Sequence, residues 1–217
     1  MPGVLPRKQR PVPRKRRGGR RIGLLGGSFN PAHEGHRAIS LHALKALGLD
    51  EVWWLVSPQN PLKPADGMAP FAERFASAAA AANHPRIRPS DLEHRLGTSY
   101  TAETVARLRR RFPQHDFVWL MGADNLLQID RWKDWQQIFH GLPVAVFARP
   151  TYSSRALAAP AARRFARARL PETAAQGLAG TTPPAWVFLK GPHNPVSATA
   201  IRAARSQKTA LKRGRPR

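Results

Sequence analysis

The stretch that most limits what this chain can become is residues 22–36, where the apolar run Ile22-Gly23-Leu24-Leu25 meets Gly26-Gly27-Ser28 and then a helix start bearing two histidines. A short strand that turns through glycines into a helix aims unpaired N–H groups and the positive end of a helix dipole at one point, which favours an anion. Gly26 and Gly27 permit a tight turn and close approach of backbone to ligand, and Ser28 adds a hydroxyl. His33 and His36 stand at i and i+3, so they share one helical face and can reach the same group. Zinc ligation by this pair is the competing reading. A closed zinc site wants about four N or S ligands, and the chain has no cysteine and no third histidine at matching spacing. A nucleoside triphosphate fits the stretch better.

Strand and helix patterns alternate along the rest of the chain. Strands are predicted at Ile22–Leu25, Glu51–Val56, Phe117–Met121, Val144–Ala148 and Trp186–Leu189, with Arg86–Arg88 too short to assign. Helices are predicted at His36–Leu47, closed by Gly48, and at Phe71–Ala82, Thr101–Phe112 and Trp132–Phe139. This alternation implies a single α/β domain, Rossmann-like and doubly wound, with a mostly parallel sheet and helices on both faces. In such sheets ligands bind beyond the carboxyl ends of the strands. Chemistry clusters there in this sequence. The loop Ser57–Lys63 carries one cation, Lys63, and Gly122-Ala123-Asp124-Asn125 offers a carboxylate suited to ribose hydroxyls. Val196–Arg202 places Ser197 and Thr199 at a helix start with Arg202 one turn later, a combination suited to a pyrophosphate.

Gly26-Gly27-Ser28-Phe29-Asn30-Pro31-Ala32-His33-Glu34-Gly35-His36 resembles the G-G-S-F-D-P-x-H-x-G-H signature of the nucleotidylyltransferases, with Asn30 where many members carry Asp. Val196–Arg202 resembles the I-S-S/A-T-x-I-R motif of the same superfamily. Ser99-Tyr100-Thr101, Thr104, Gly122-Ala123-Asp124 and Trp132 resemble the S-Y-T-x-x-T, G-A-D and downstream Trp elements of the bacterial nicotinate-nucleotide adenylyltransferases. The resemblance runs from about Ile22 to Arg202. It implies adenylyl transfer from ATP to nicotinate mononucleotide, with magnesium accompanying the ATP. It also implies contacts from Gly26, Gly27, Ser28 and Phe29 to ATP, with His33, His36 and Arg202 as catalytic groups. Ser197 and Thr199 would hold the β- and γ-phosphates, and Asp124 would lie near the adenosine. On the acceptor side Thr101 would lie beside the nicotinate carboxylate and Trp132 would stack on the pyridine ring. Lys63, preceded by Leu62 where relatives carry His, would contact a substrate phosphate.

Plainer roles exist for several of these residues: Trp132 as packing, Thr101 as a helix N-cap, Asp124 as a cap on the next turn. At the level of the whole chain, a pantetheine-phosphate adenylyltransferase or a cytidylyltransferase would share both phosphate motifs but lack Ser99-Tyr100-Thr101 and Trp132. The sequence has no cysteine and no G-x-S-x-G elbow, so nothing marks a covalent nucleophile. The acceptor supplies its own.

The formal net charge of +23 is concentrated at the ends. Residues 1–21 hold nine Lys or Arg and residues 202–217 hold seven, with no acid in either, leaving 20 basic against 13 acidic residues between them. The expected organisation is a disordered basic tail over 1–20, a catalytic domain over 21–205 and a basic tail over 206–217. Such tails suit weak, nonspecific contact with phosphate backbones, and an inactive fold binding RNA through them is the rival function. The N-terminal stretch lacks interleaved aromatics for base stacking. No apolar run approaches a membrane span or a secretory signal, which with the absence of cysteine suggests a cytoplasmic protein.

Overall fold

In the computed structural model the described residues are 18–58, 67–149 and 152–191. Lys63, Ser197, Thr199, Arg202 and almost all of both basic tails lie outside them. In chain order the elements are β1 (Arg21–Gly27), α1 (Glu34–Ala46), β2 (Glu51–Val56), α2 (Phe71–Ala82), β3 (Ile87–Ser90), α3 (Leu92–Leu96), α4 (Thr101–Arg111), β4 (Asp116–Gly122), α5 (Ala123–Leu126), α6 (Gln136–Gly141), β5 (Val144–Phe147), α7 (Ser153–Leu157), α8 (Pro160–Arg164), β6 (Arg169–Leu170) and β7 (Trp186–Leu189). Turns of 3-10 helix occupy Ile129–Arg131, Ala166–Ala168 and Glu172–Gly180.

All seven strands pair in parallel, in the order β3-β2-β1-β4-β5-β7-β6. The unassigned segment at 86–88 is the edge strand β3. Central strands read as nearly unbroken apolar runs because both faces are covered. On one face Ile22, Leu24, Phe117 and Trp119 pack against α4 and α6. On the other Leu25, Val52, Trp54 and Leu120 pack against α1 and α2. Apolar burial on two sides of one sheet is the main source of stability.

From β1 the chain winds outward through β2 to β3, then crosses back to lay β4 on the free side of β1. The connections leaving β1 and β4 therefore part to opposite faces and open a crevice at their carboxyl ends. Gly27 stands opposite Val56 there, and Gly122 opposite Phe147. At the other end of the sheet Glu51, 6% exposed, pairs with Arg20 and Arg88 and accepts a hydrogen bond from Trp53 Nε1 at 2.9 Å.

One predicted helix is shifted. Over 132–139 the chain is extended at Trp132 (φ −82°, ψ 140°), left-handed at Asp134 (φ 52°) and helical only from Gln136. Trp132, Trp135, Ile138 and Phe139 are spaced like one face of a helix, and all four reach the same core cluster. A 3-10 turn followed by a bend delivers the two tryptophans there as well as a helix would.

Candidate active site

The turn between β1 and α1 is built differently from the sequence expectation. Gly26 and Gly27 are the last residues of β1, and the left-handed position belongs to Phe29 (φ 48°). Gly26 is needed for space: a Cβ there would lie 2.7 Å from Cη2 of Trp119. The Phe29 ring is 1% exposed, stacks on Trp54 at 5.1 Å and lies 4.7 Å from the His36 ring. Its ring therefore holds the turn in an uncommon backbone conformation and has no surface to offer a ligand. Only the Phe29 backbone remains for the contact predicted there.

His33 is the N-cap of α1 and His36 its third residue, and the two cap each other. Gly35 N–H donates to His33 Nδ1 at 3.1 Å, and His33 N–H donates to His36 Nδ1 at 3.2 Å. The ring centroids are 3.9 Å apart. Because each Nδ1 accepts, the proton of a neutral ring sits on Nε2. Burial, helped by the charge of Arg149, lowers the His33 pKa to about 4, so this ring is neutral at pH 7. Trp54 Nε1 donates to Ser40 Oγ at 2.7 Å and Ser40 Oγ to the His36 carbonyl at 2.8 Å, fixing the first turn of the helix from below.

Beneath this turn lies a residue the motif reading missed. Arg74 of α2, 2% exposed, donates from Nε to Ala69 O (2.9 Å), from Nη1 to Ser28 O and Ser57 O (both 2.7 Å) and from Nη2 to Pro58 O (2.6 Å). One guanidinium thus ties the turn after β1 to the chain after β2. Asn30 adds a second tie, donating from Nδ2 to Gly67 O at 2.9 Å and accepting from Ala69 N at 3.3 Å. Aspartate could make only the second of these, which gives the departure from the usual motif a physical reason. Arg74 had a signal in the sequence, since it shares the inward stripe of α2 with Ala78 and Ala82. An arginine on such a stripe must find acceptors inside.

On the far side of the crevice Asp124 is the second residue of α5, and Arg149, just past β5, places Nε 3.3 Å from its Oδ1. The pair is within ion-pair distance but not aligned as a hydrogen bond, and Oδ1 is buried without a hydrogen-bond partner. A Cβ on Gly122 would overlap that oxygen. Arg149 also acts on His33, so residues following β1, β4 and β5 converge.

Thr101 is the first residue of α4, whose N-cap is Tyr100 with no side-chain cap. Thr101 is therefore not the cap. Lys133 Nζ lies 3.4 Å from Glu103 Oε1 and 4.4 Å from the Tyr100 ring centre, which brings the half-buried Trp132 segment to the amino end of α4. The described chain stops at Gly191, packed so tightly on Ala148 that a Cβ would overlap its carbonyl. Gly191 thus lies at the carboxyl edge that carries Gly27 and Gly122, and Ser197, Thr199 and Arg202 lie outside the described residues. Among the described residues no three His, Cys, Asp or Glu side chains converge to hold a metal, and no helix is long and apolar enough to cross a membrane.

The profile of the cytidylyltransferase-like family matches residues 24–204. The chain is 57% identical over 182 residues to a probable nicotinate-nucleotide adenylyltransferase of Bradyrhizobium sp. BTAi1, covering 84% of this chain and 95% of the relative. It is 54% identical to the protein of that name from Parvibaculum lavamentivorans, over 85% and 92% of the two chains, and 51% identical to that of Caulobacter sp. K31, over 86% and 99%. Among solved structures, the nicotinic acid mononucleotide adenylyltransferase of Plasmodium falciparum, determined with APC and with NaAD, shares the fold. Its TM-score is 0.61 at 15% identity, over 85% of this chain and 83% of that one.

Proposed function

The chain belongs to the cytidylyltransferase-like family and, within it, to the nicotinate-nucleotide adenylyltransferases, and on that footing we propose that it joins the adenylyl group of ATP to the phosphate of nicotinate mononucleotide, giving nicotinate adenine dinucleotide and pyrophosphate. The observation that carries the mechanism is the reciprocal capping of His33 and His36, which occupies both Nδ1 atoms and puts the ring proton of each on Nε2, at one helix end at the switch point of the sheet.

In this reading a phosphate oxygen of the mononucleotide attacks the α-phosphorus of ATP in line. The new P–O bond forms as the bond to the β-phosphate bridge breaks, and that oxygen leaves with pyrophosphate. The attacking phosphate is largely a dianion at pH 7, so no residue need remove a proton. Catalysis is alignment plus stabilisation of charge on the α-phosphate. His33, neutral and fixed as a donor at Nε2, supplies one hydrogen bond and His36 a second. The backbone of Gly26, Gly27, Ser28 and Phe29 lines the same approach, with Arg74 holding Ser28 in place. Asp124, partly exposed beside Arg149, receives a ribose hydroxyl by match to the family motif. Ser197, Thr199 and Arg202 hold the β- and γ-phosphates, and Lys63 a substrate phosphate, by match to the family motifs.

On the acceptor side, the uncapped amino end of α4 at Thr101 suits the nicotinate carboxylate, because helix N–H groups and the dipole favour an anion over a neutral amide. Trp132 covers the ring. Magnesium enters as the counter-ion of ATP. Asn30 spends its amide on Gly67 and Ala69; bound with the triphosphate, the ion would be carried by phosphate oxygens and would neutralise part of their charge, and no step here is assigned to it.

The test is pyrophosphate release and product identification with magnesium-ATP and, separately, nicotinate mononucleotide, nicotinamide mononucleotide and phosphopantetheine. Faster turnover with the nicotinate substrate supports the reading. Turnover with none of them, or with phosphopantetheine alone, overturns it.

A further inference from the structure

Behind the amino end of α4 lies a buried polar cluster for which the transfer reaction has no use. Glu93 of α3 is 8% exposed, Thr98 1% and Thr104 of α4 0%. Thr104 Oγ1 lies 2.8 Å from Thr98 Oγ1, 3.2 Å from the Tyr100 carbonyl and 3.3 Å from Glu93 Oε1. The Thr98 N–H donates to the Glu93 carbonyl at 3.1 Å, closing the turn on itself. Thr104 has one hydroxyl proton and three neighbours that could accept it. Glu93 decides among them. A neutral carboxyl donates to Thr104 Oγ1 and leaves the threonine proton for the Tyr100 carbonyl; a carboxylate takes that proton for itself.

We propose that Glu93 is a positioning residue for the acceptor, acting through Thr104 to set the turn 97–101 that presents Thr101 and the amino end of α4 to the mononucleotide. The proposal rests on the adenylyltransferase reading above. Among the described residues no cation pairs with the carboxyl. On α3 itself Arg95 pairs with Asp91 and His94 stacks on Phe71. On α4 Arg107 bonds the Leu96 carbonyl, and Glu103 pairs with Lys133 from the Trp132 segment. The ionisable group of β2, Glu51, is tied to Arg20 and Arg88 at the opposite end of that strand. Burial accordingly raises the Glu93 pKa to about 7, against a smaller opposing effect of the Thr104 hydrogen bond. The carboxyl is neutral below that value and charged above it, so its hold on Tyr100 weakens as pH rises through neutrality.

The experiment is steady-state kinetics of the full chain between pH 6 and 9 for wild type, Glu93→Gln and Glu93→Ala, varying ATP and nicotinate mononucleotide separately. Glutamine keeps the shape and donates as the neutral acid does, but cannot ionise. The wild-type KM for the mononucleotide is expected to rise several-fold from pH 6.5 to 8.5 while that of Glu93→Gln stays flat, with KM for ATP alike in both. Glu93→Ala should raise KM for the mononucleotide about tenfold at every pH with kcat within about twofold, the scale of one lost positioning hydrogen bond. If Glu93→Gln keeps the wild-type pH dependence, or if both KM values shift together, the proposal is overturned and Glu93 is a packing residue only. An inactive wild type at pH 6.5 overturns the adenylyltransferase reading instead.

Discussion

Arg149 Nε stands 3.3 Å from Asp124 Oδ1 while its charge bears on His33, so one guanidinium joins the residues that follow β4 to those that follow β1. Replacing it should be visible at the histidine. In Arg149→Met the His33 pKa is expected to rise from about 4 yet stay below its ordinary value, because burial, the larger cause, remains. The check is the pH titration of the His33 ring signal by NMR. A histidine held down in the native state favours folding in its neutral form above the ordinary value, and that contribution is lost as pH falls through about 4. Arg149→Met should therefore lose less stability than wild type on acidification over this window.

His36→Ala removes an Nε2 donor proposed to face the α-phosphate and also the acceptor that caps His33 N–H. The cap is worth about 1 kcal/mol, so the protein should remain folded. The loss in kcat should be roughly 100-fold or more, the scale for one donor aimed at developing charge. A change of only twofold to threefold would remove His36 from the chemistry and leave it as a cap.

Arg74→Met should be among the most damaging single changes outside the phosphate motifs. It strands four carbonyls that now share one guanidinium, and buried acceptors left without donors cost about 1–3 kcal/mol each before relaxation. A fall in unfolding free energy of about 3 kcal/mol or more is expected from urea denaturation. Arg74→Lys keeps the charge but has one nitrogen where three now donate. It should recover part of that stability, and kcat should recover less, because Ser28 is no longer held from the same atom group as Ser57.

For Glu93 the sign of the pH effect runs opposite to that of a salt-bridged carboxylate. Its native pKa lies above the unfolded value, so the native state binds the extra proton between about 4.5 and about 7 and loses stability as pH rises across that interval. Glu93→Gln is exempt. Thermal denaturation should find the two proteins similar near pH 4 and the glutamine variant more stable at pH 8, by up to about 3 kcal/mol on the conversion of pKa to free energy. Equal stability at pH 8 would show that the buried carboxyl is relieved of its charge by water or movement.

What could be read from the sequence was what lies close along it. His33 and His36 are one helical turn apart, so their convergence followed from spacing. The five inner strands announced themselves because a parallel sheet covered on both faces demands apolar runs, whereas the short edge strands β3 and β6 did not. Arg74 and Glu93 were not visible as parts of the site, because their meaning depends on partners that folding brings in. Ser28 O is 46 residues from Arg74, and Thr104 is 11 residues from Glu93 across a reversal of chain direction. Arg149 stood in plain view after a predicted strand, but its partner Asp124 follows a different one. The two glycines were credited with a turn that Phe29 makes, since the Trp119 ring that forbids a side chain at Gly26 comes from a neighbouring strand. Local periodicity also misplaced the helix at Trp132, where a 3-10 turn and a bend satisfy the same apolar spacing.

That misplacement sharpens the last prediction. Were Trp132 inside a helix, its ring would be one more packing residue of the α6 face. In the structure its backbone is extended (φ −82°, ψ 140°), its N–H is spent on Ile129 O, and the next residue, Lys133, lies over Tyr100 at the start of α4. The half-buried ring therefore belongs to a segment that meets the amino end of α4, and it is there that the pyridine ring is proposed to stack on it. Stacking of a base on an aromatic side chain is worth about 1–3 kcal/mol, so Trp132→Ala should raise KM for nicotinate mononucleotide about 5- to 150-fold. KM for ATP should move by less than about twofold, because the triphosphate is proposed to bind at the His33 turn and not at Trp132. Parallel initial-rate measurements in each substrate separate the outcomes. Matching increases in both KM values, together with a lowered Tm, would mean that the ring supports the α6 core and that the acceptor stacks elsewhere.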